Sequence, residues 1–332
     1  MRHTRLVFLL AAGLLAGCSH DDSPSDGGEP DSRADIRFDA NVSRMTEGTR
    51  AATINSNTDL QTKDLKIDAY FHGTSTKYLD GTKLHYTGST PAWTFWDGSA
   101  ALHYYWPIAG SVYEPAGANI TFTSLDFVGF CPYEKPAYIG TPTYNPSTGV
   151  SFTCDLSSYM TLASQASMQE HLVAVLKEQT LATQTAAAGG ALPLTFKHPF
   201  ALVKFVIMPA SGTNVKINSI RIDDLYTGGT CTYNGSTMSW GSYSGSSAMT
   251  LVQELKIGTA TTQTTPFVVI PNNYGTKYLT VNATWDDWSD VTISDYGADV
   301  SFNWKPGYSY TYNLTLDKYG LKVDVAKYTE QW

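Results

Sequence analysis

The sequence has few charged residues, and the acidic ones outnumber the basic ones. Of 332 residues, 22 are Lys or Arg and 30 are Asp or Glu, which gives a formal net charge of −8. A nucleic-acid-binding surface needs clustered basic side chains, so this balance predicts that nucleic acid is not a partner. Scarce Lys and Glu beside abundant Thr, Ser, Gly and Tyr are typical of extracellular β structure.

The sequence also has little that indicates an enzyme. The histidines are scattered, and there is no HExxH motif, no Gly-x-Ser-x-Gly motif and no glycine-rich phosphate loop. His198 lies at the predicted entry to the second domain, beside Pro199, where a structural histidine is more common than a general base. We therefore expect no catalytic activity, no cofactor and no bound metal.

The apolar run at residues 6–15 is shorter than the roughly 20 residues of a transmembrane helix. It follows the basic segment 1–5, as in a secretory signal peptide. It ends in Leu15-Ala16-Gly17-Cys18, the pattern that a lipoprotein signal peptidase needs. We expect cleavage between Gly17 and Cys18 and a lipid on Cys18. The alternative is an ordinary signal peptide that contains a cysteine.

Residues 18–35 are rich in Ser, Asp, Gly and Pro and lack apolar periodicity, which predicts a flexible acidic tether behind the signal peptide at 1–17. Asp21 and Asp22 resemble the acidic tags that send some lipoproteins to the outer face of the outer membrane. Acidic residues that simply solvate a linker are equally expected.

Three cysteines remain after Cys18, an odd number for an oxidising compartment. If two of them pair, Cys131 and Cys154 are the better candidates, because both fall in the first predicted domain. Three buried thiols, including Cys231, are the alternative.

Alternation with a period of two dominates the rest of the chain. Ile36, Phe38, Ala40 and Val42 share one face of a half-buried strand. Helix signals are scarce, and only residues 160–176 and 181–188 could contain a helical turn or two. Further alternating segments are residues 65–71, 100–106, 125–130, 201–208, 215–222, 267–270, 278–285 and 308–316.

Many short strands separated by Gly, Pro, Asn and Asp are typical of β-sandwiches. We predict an all-β fold with two tandem β-sandwich domains of the Greek-key or transthyretin-like type. Gly189-Gly190 is the best candidate linker, which gives domains at residues 51–190 and 191–332.

Several motifs resemble the fimbrillins, the lipoprotein-route pilins also called type V. HYYWP at 103–107 and LDFVGFCP at 125–132 resemble paired strands of their first domain. LTFKHPFALVKF at 194–205 resembles their entry into the second domain, and residues 304–316, 320–325 and Trp332 resemble their last strands. The matches keep the family order over nearly the whole exported chain.

This resemblance implies assembly by strand exchange. In fimbrillins a protease cleaves after an arginine and removes the anchor with the first strand, and the C-terminal segment of a neighbouring subunit fills the groove. Here the best match for cleavage is Arg50–Ala51, with residues 36–50 as the removable first strand. The donor strand would lie in residues 320–332, with the side chains of Leu321, Val323, Val325 and Trp332.

The residues themselves agree with these roles. Arg50 has small neighbours, which is typical of an accessible loop. Leu321 and Val323 alternate with Lys322 and Asp324, so the tail can bury one face. The alternative is a permanent first strand, an ordinary loop arginine and an ordinary last strand.

The partners implied are other fimbrial subunits, an arginine-specific maturation protease and the outer membrane, reached through the lipid anchor at the cell surface. A host or bacterial surface glycan or protein would be the target of adhesion. The presence of groove, arginine and tail favours a polymerising stalk subunit over an accessory tip adhesin.

A glycan-binding outer-membrane lipoprotein is the second hypothesis. Residues 285–290 place two tryptophans and three acidic residues in one hairpin-like segment. Trp285 continues the alternation of Leu279, Val281 and Ala283 and is expected in the core, so Trp288 is the candidate glycan contact.

Overall fold

The computed structural model describes residues 33–43, 54, 56–114, 119–209, 215–257, 261–287, 290–317 and 319–329. The side chain of Val325 is outside this description. The predicted sites that lie wholly outside the described residues are Gly17, Cys18, Arg50, Ala51, Trp288 and Trp332.

The described chain is almost entirely β structure, as the alternation predicts. Its three α-helices are α1 (Asn57–Leu60), α2 (Leu162–Ala166) and α3 (Leu181–Ala186). In the part of the chain that is described, no helix is both long and apolar enough to cross a membrane. The strands up to residue 196 are β1 (Phe38–Val42), β2 (Leu65–Phe71), β3 (Lys77–Tyr86), β4 (Trp93–Trp96), β5 (Ala101–Leu102), β6 (Val112–Tyr113), β7 (Ile120–Thr121), β8 (Leu125–Cys131), β9 (Thr143–Asn145), β10 (Gly149–Asp155), β11 (Leu172–Gln179) and β12 (Leu192–Phe196).

The remaining strands are longer on average, and several form hairpins with their neighbours in sequence. They are β13 (Ala201–Pro209), β14 (Val215–Leu225), β15 (Gly228–Tyr233), β16 (Met238–Ser244), β17 (Ser247–Ile257), β18 (Thr262–Gln263), β19 (Phe267–Val269), β20 (Asn273–Asp287), β21 (Asp290–Asn303), β22 (Ser309–Asp317) and β23 (Gly320–Thr329).

The first sheet has the strand order β11-β8-β2-β3-β4-β1-β12, with β5 attached to β4. Its two end strands meet, because Val173 in β11 and Lys197 after β12 exchange backbone hydrogen bonds of 3.1 and 2.9 Å. The sheet therefore curls round one hydrophobic core, in which Leu60, Leu65, Ile67 and other apolar side chains are fully buried.

A second sheet, β16-β15-β10-β9, packs on the outer face of the first. The core between them contains Cys154 and Cys231, whereas Cys131 lies in the core enclosed by the curled first sheet. All three thiols are buried and free. Cys131 and Cys154 form no disulfide, because they belong to different cores on opposite faces of the first sheet. Of the two alternatives from the sequence, the one with three unpaired thiols is therefore correct.

The C-terminal part of the chain is a β-sandwich. One sheet has the order β18-β13-β22-β23, with β19 attached to β13, and it faces the sheet β17-β14-β20-β21. The core between them includes Phe205, Ile217, Trp304 and Tyr312. Trp285 is 4% exposed in this core, which confirms the prediction from the alternation.

Two of the sheets contain strands from both sides of the predicted boundary at residues 190 and 191. Strand β12 follows that boundary but pairs with β1 in the first sheet, and the second sheet joins β9 and β10 to β15 and β16. From Ala34 onward the described chain forms one compact unit. The division at residue 190 stays a prediction from the sequence.

Candidate functional site

Strand β1 and Ile36, two residues before it, share one buried face. Ile36, Phe38, Ala40 and Val42 are 3%, 1%, 4% and 5% exposed, and Asp39 between them faces solvent. This is the alternation that the sequence predicts. The four apolar side chains pack in the core of the curled first sheet, so β1 is part of that core and not only of its edge.

Backbone pairing holds β1 mainly from one side. It runs parallel to β12 over its full length, with Phe38 opposite Leu192 and Val42 opposite Phe196. On the other side it pairs with β4 through a single position, Phe38 opposite Trp93. Loss of β1 would leave unpaired backbone groups on β12, which is the kind of edge that accepts another strand.

Phe38 is the central apolar side chain of β1. Its ring meets the edge of Phe127 at a centroid distance of 5.1 Å and that of Phe95 at 6.0 Å. Burying a side chain of this size stabilises a protein by roughly 1.5–3 kcal/mol. The surroundings of Phe38 are thus apolar and formed in part by aromatic rings.

Polar side chains from elements distant in sequence form hydrogen bonds with the backbone at both ends of β1. At its start, Oε1 of Gln184 in α3 accepts hydrogen bonds from the backbone N–H of Arg37 (2.8 Å) and the indole N–H of Trp106 (3.1 Å), while its Nε2 donates to the carbonyl of Asp35 (2.9 Å). At its end, Oδ1 of Asn57 in α1 accepts a hydrogen bond of 3.0 Å from the N–H of Val42.

The buried carboxylate of Glu170 forms a hydrogen bond with the segment that follows the predicted cleavage point. Oε2 of Glu170 accepts a hydrogen bond of 2.5 Å from the backbone N–H of Ile54, and its Oε1 lies 2.6 Å from Nδ1 of His198. The His198 side chain is fully buried. This histidine links the β12–β13 connection to Glu170.

The predicted donor segment lies in a different sheet from β1. Strand β23 is antiparallel to β22, from Asp317 opposite Gly320 to Ser309 opposite Thr329. Leu321 and Val323 are partly buried against the C-terminal core, and Lys322 and Asp324 are exposed. The chain therefore keeps its own tail as the outer strand of a sheet, and the structure does not bring that tail to the groove of β1.

The buried carboxylate of Asp126 has several hydrogen-bond partners. Asp126 is fully buried and accepts hydrogen bonds from the hydroxyl of Tyr144 (2.6 Å) and the N–H of Glu178 (2.7 Å), with Nδ1 of His72 at 2.9 Å. Burial, and then the hydrogen bond to Asp126, raises the pKa of Tyr144 far above its usual range. Among the described residues, no group of three or more side chains could hold a metal ion.

Sequence reasoning found the buried face of β1 but missed Gln184, Asn57 and Glu170. The segment Ser56 to Asp59 does contain a local signal, because the Ser56 hydroxyl caps α1 by accepting from the N–H of Asp59. That signal predicts the helix and not the bond from Asn57 to β1. No local sequence pattern predicts the hydrogen bonds that Gln184 and Glu170 accept from backbone N–H groups, because those groups are more than 100 residues away in the sequence.

Comparison with known proteins adds to this geometry. A sequence model of fimbrillin-like proteins matches residues 49–332. A crystal structure of a candidate cell-adhesion protein from Bacteroides ovatus is 13% identical, with a TM-score of 0.51 over 91% of this chain and 98% of that one. A second candidate, from Bacteroides uniformis, is 16% identical, with a TM-score of 0.48 over 90% and 99% of the two chains.

The C-terminally truncated tip fimbrial protein Mfa3 of Porphyromonas gingivalis is 10% identical, with a TM-score of 0.40 over 81% of this chain and 94% of that one. Of these three proteins, the one from Bacteroides ovatus has a TM-score above 0.5, and at 13% identity its likeness shows the fold alone. Comparison with curated proteins gave no match.

Proposed function

Because the chain belongs to the fimbrillin-like family, we propose that it is a structural subunit of a surface fimbria and that it supports adhesion. The observation that carries this proposal is strand β1. Its apolar face is buried to 5% exposure or less, yet along its length it pairs with only one neighbouring strand. A strand of this kind completes the core and can be replaced by another strand of the same pattern.

In this proposal the chain is exported as a lipoprotein, is cleaved before Cys18 and is held on the outer membrane by the lipid on that residue. A protease then cuts between Arg50 and Ala51. The fragment that ends at Arg50 includes β1, whereas Ile54 stays bonded to Glu170. Cleavage would therefore free the first strand and leave the downstream chain attached.

A neighbouring subunit would then supply residues 320–332 as the replacement strand. Leu321 and Val323 are only partly buried on their own sheet, while the β1 positions are almost fully buried. Transfer of the tail to the groove would bury more apolar surface than the tail loses, and this difference favours exchange. In a regular strand Val325 continues the same face, and Trp332 stays part of the predicted donor segment.

A stalk role follows if both the groove and the tail are used. An accessory tip adhesin would use its groove without donating a tail. A surface lipoprotein that binds glycans through Trp288 would use neither, and that contact stays a prediction.

Strand exchange can be tested on the full chain in which Cys18→Ser prevents lipidation. Treatment with an arginine-specific protease should release the fragment that ends at Arg50, as measured by mass, and then produce ladders that resist SDS. The matched variant Arg50→Ala should give neither. A chain that is cleaved at Arg50 but stays monomeric, or one that resists the protease, contradicts the proposal.

A further inference from the structure

A cleft of about 510 Å³ lies where β1 ends. Four separate parts of the chain line it: Ser43 at the end of β1, Lys197 and His198 after β12, the turn between β15 and β16, and the segment 305–308 before β22. Its volume falls in the range of about 300–1,000 Å³ that is usual for small-molecule sites. The closed sheet and the C-terminal sandwich together fix its walls.

The charge of this cleft is opposite to that of the protein. The chain carries a net charge of −8, but among the described residues the lining has two lysines, Lys197 and Lys305, and no Asp or Glu. Neither lysine forms an ion pair within the described part of the chain. The carboxylate behind the cleft, Glu170, is already bonded to His198 and to the N–H of Ile54. Within the described part of the chain, the cleft therefore offers a ligand two positive charges that have no acidic partner.

The polar lining has unused hydrogen-bonding capacity. The hydroxyl of Ser43 is buried and has no partner among the described residues. A buried hydroxyl left without a partner is unfavourable, and a hydrogen bond to a ligand hydroxyl would satisfy it. Ser236 and Thr237 project from a turn that Asn234 fixes, since its Oδ1 accepts their backbone N–H groups at 2.9 and 2.8 Å. Both residues are exposed at the cleft.

Aromatic rings complete the lining. Tyr233 and Tyr308 both border the cleft, and Tyr308 is only partly buried. The face of an aromatic ring can pack on the apolar face of a sugar, and protein hydroxyls can form hydrogen bonds with the sugar hydroxyls. Lysine ammonium groups form charge-assisted hydrogen bonds with a carboxylate. These three chemistries occur together in one class of small ligand, the acidic sugars.

We propose that this cleft binds a carboxylate-bearing sugar residue of a surface glycan. The carboxylate lies between Lys197 and Lys305, the sugar hydroxyls meet Ser43, Ser236 and Thr237, and one face of the ring packs on Tyr308. This goes beyond a role as a fimbrial subunit, because it gives the chain a ligand of its own. The uncleaved chain contains every residue of this site, so the proposal does not depend on strand exchange. Cleavage at Arg50 would remove Ser43 and leave both lysines.

The test uses the uncleaved full chain with Cys18→Ser, so that its outcome is independent of cleavage and polymerisation. N-acetylneuraminic acid and glucuronic acid are titrated separately, with binding followed by ligand-observed NMR and calorimetry, and the two arms tell terminal sialic acid from uronic acid. Glucose serves as the neutral analogue and inorganic phosphate as the plain anion. We expect saturable binding of at least one acidic sugar and none of glucose or phosphate.

Lys197→Gln and Lys305→Gln should each weaken binding about tenfold, a loss of about 1.4 kcal/mol. Lys63→Gln is the matched control, because Lys63 is exposed and does not line the cleft. Thermal unfolding establishes that each variant is folded. Absence of saturable binding, binding that both lysine variants leave unchanged, or equal binding of phosphate would each overturn the proposal.

Discussion

Glu170 accepts a 2.5 Å hydrogen bond from the backbone N–H of Ile54, four residues after the predicted cleavage point. The same carboxylate contacts His198, which lies just after the strand that pairs with β1. One buried side chain thus connects the segment that follows the predicted cleavage point to the residues just after β12.

Glu170→Ala should therefore destabilise the protein. It leaves the Ile54 N–H and the His198 ring without their carboxylate partner, and each buried polar group left in this way costs about 1–3 kcal/mol. We expect the free energy of unfolding in urea to fall by about 2–4 kcal/mol. Glu134→Ala is the control, because Glu134 is exposed, and it should change the value by less than about 0.5 kcal/mol. Equal effects of the two variants would show that the Glu170 contacts contribute little.

Phe38→Ala tests whether β1 supports the core only before cleavage. Removing a buried phenylalanine costs about 3–5 kcal/mol, and we expect this loss in the free energy of unfolding of the intact chain. After cleavage at Arg50 and polymerisation, β1 is gone, so the variant and the parent should form polymers of equal thermal stability. Asp39→Ala, on the exposed face of the same strand, should be nearly neutral in both states. A polymer that is weakened by Phe38→Ala would mean that β1 never leaves.

The partly buried face of β23 should decide polymerisation. Val323→Asp places a charge on the face that the groove would receive, and burial of an unpaired charge is strongly unfavourable. We expect normal cleavage at Arg50 but no SDS-resistant ladders. Lys322→Asp makes the corresponding change on the exposed face and should still form ladders. Ladders from Val323→Asp would exclude this segment as the donor.

Acid should weaken the fold through His171. Its ring is fully buried, stacked on Phe130 and edge-on to Phe152, and neither ring nitrogen has a hydrogen-bond partner among the described residues. Burial, reinforced by the charge of Lys135, lowers the pKa of His171 from 6.5 to about 3. The folded protein therefore keeps this ring neutral at pH values where the unfolded chain binds a proton.

Because the unfolded state takes up the extra proton, the stability that His171 confers is complete above pH 6.5 and is lost as the pH falls toward 3. We expect this residue to lower the free energy of unfolding by about 2 kcal/mol between pH 8 and pH 5. His171→Leu should remove that dependence, and His103→Leu, at an exposed position, should retain it. Urea titrations at a series of pH values give the comparison, and identical pH profiles for the parent and His171→Leu would contradict it.

The elements that the sequence predicts well are those in which apolar and polar residues alternate. Strand β2 begins and ends where the alternation places it, at Leu65 and Phe71, and β1 shows the predicted face. Residues 160–176 were expected to hold at most a helical turn or two; α2 ends at Ala166, and β11 begins at Leu172. Strand β11 is buried on both faces at its start, so the alternation that marks a strand is missing there.

The rest depends on partners that are far apart in the sequence. Residues 100–106 alternate well, but only Ala101–Leu102 form a strand, because the backbone beyond them bonds to residues before β1, as in the 2.7 Å hydrogen bond from Ile36 to the carbonyl of Tyr104. Likewise, nothing local in β12 predicts that it runs parallel to β1. Such pairings are set by the closure of the whole sheet.

The contact between Val173 and Lys197 gives the first sheet no free end at β12. In an open sheet, removing an outer strand merely uncovers the next one, and further strands can then add without limit. In a closed sheet, β1 is one strand in a continuous ring of strands. Its removal leaves a slot of one strand's width, with strands spaced about 4.7–4.9 Å apart, and filling that slot restores the closed wall. Each subunit could then accept one neighbour and no more, which would make a linear fibre and not a spreading aggregate.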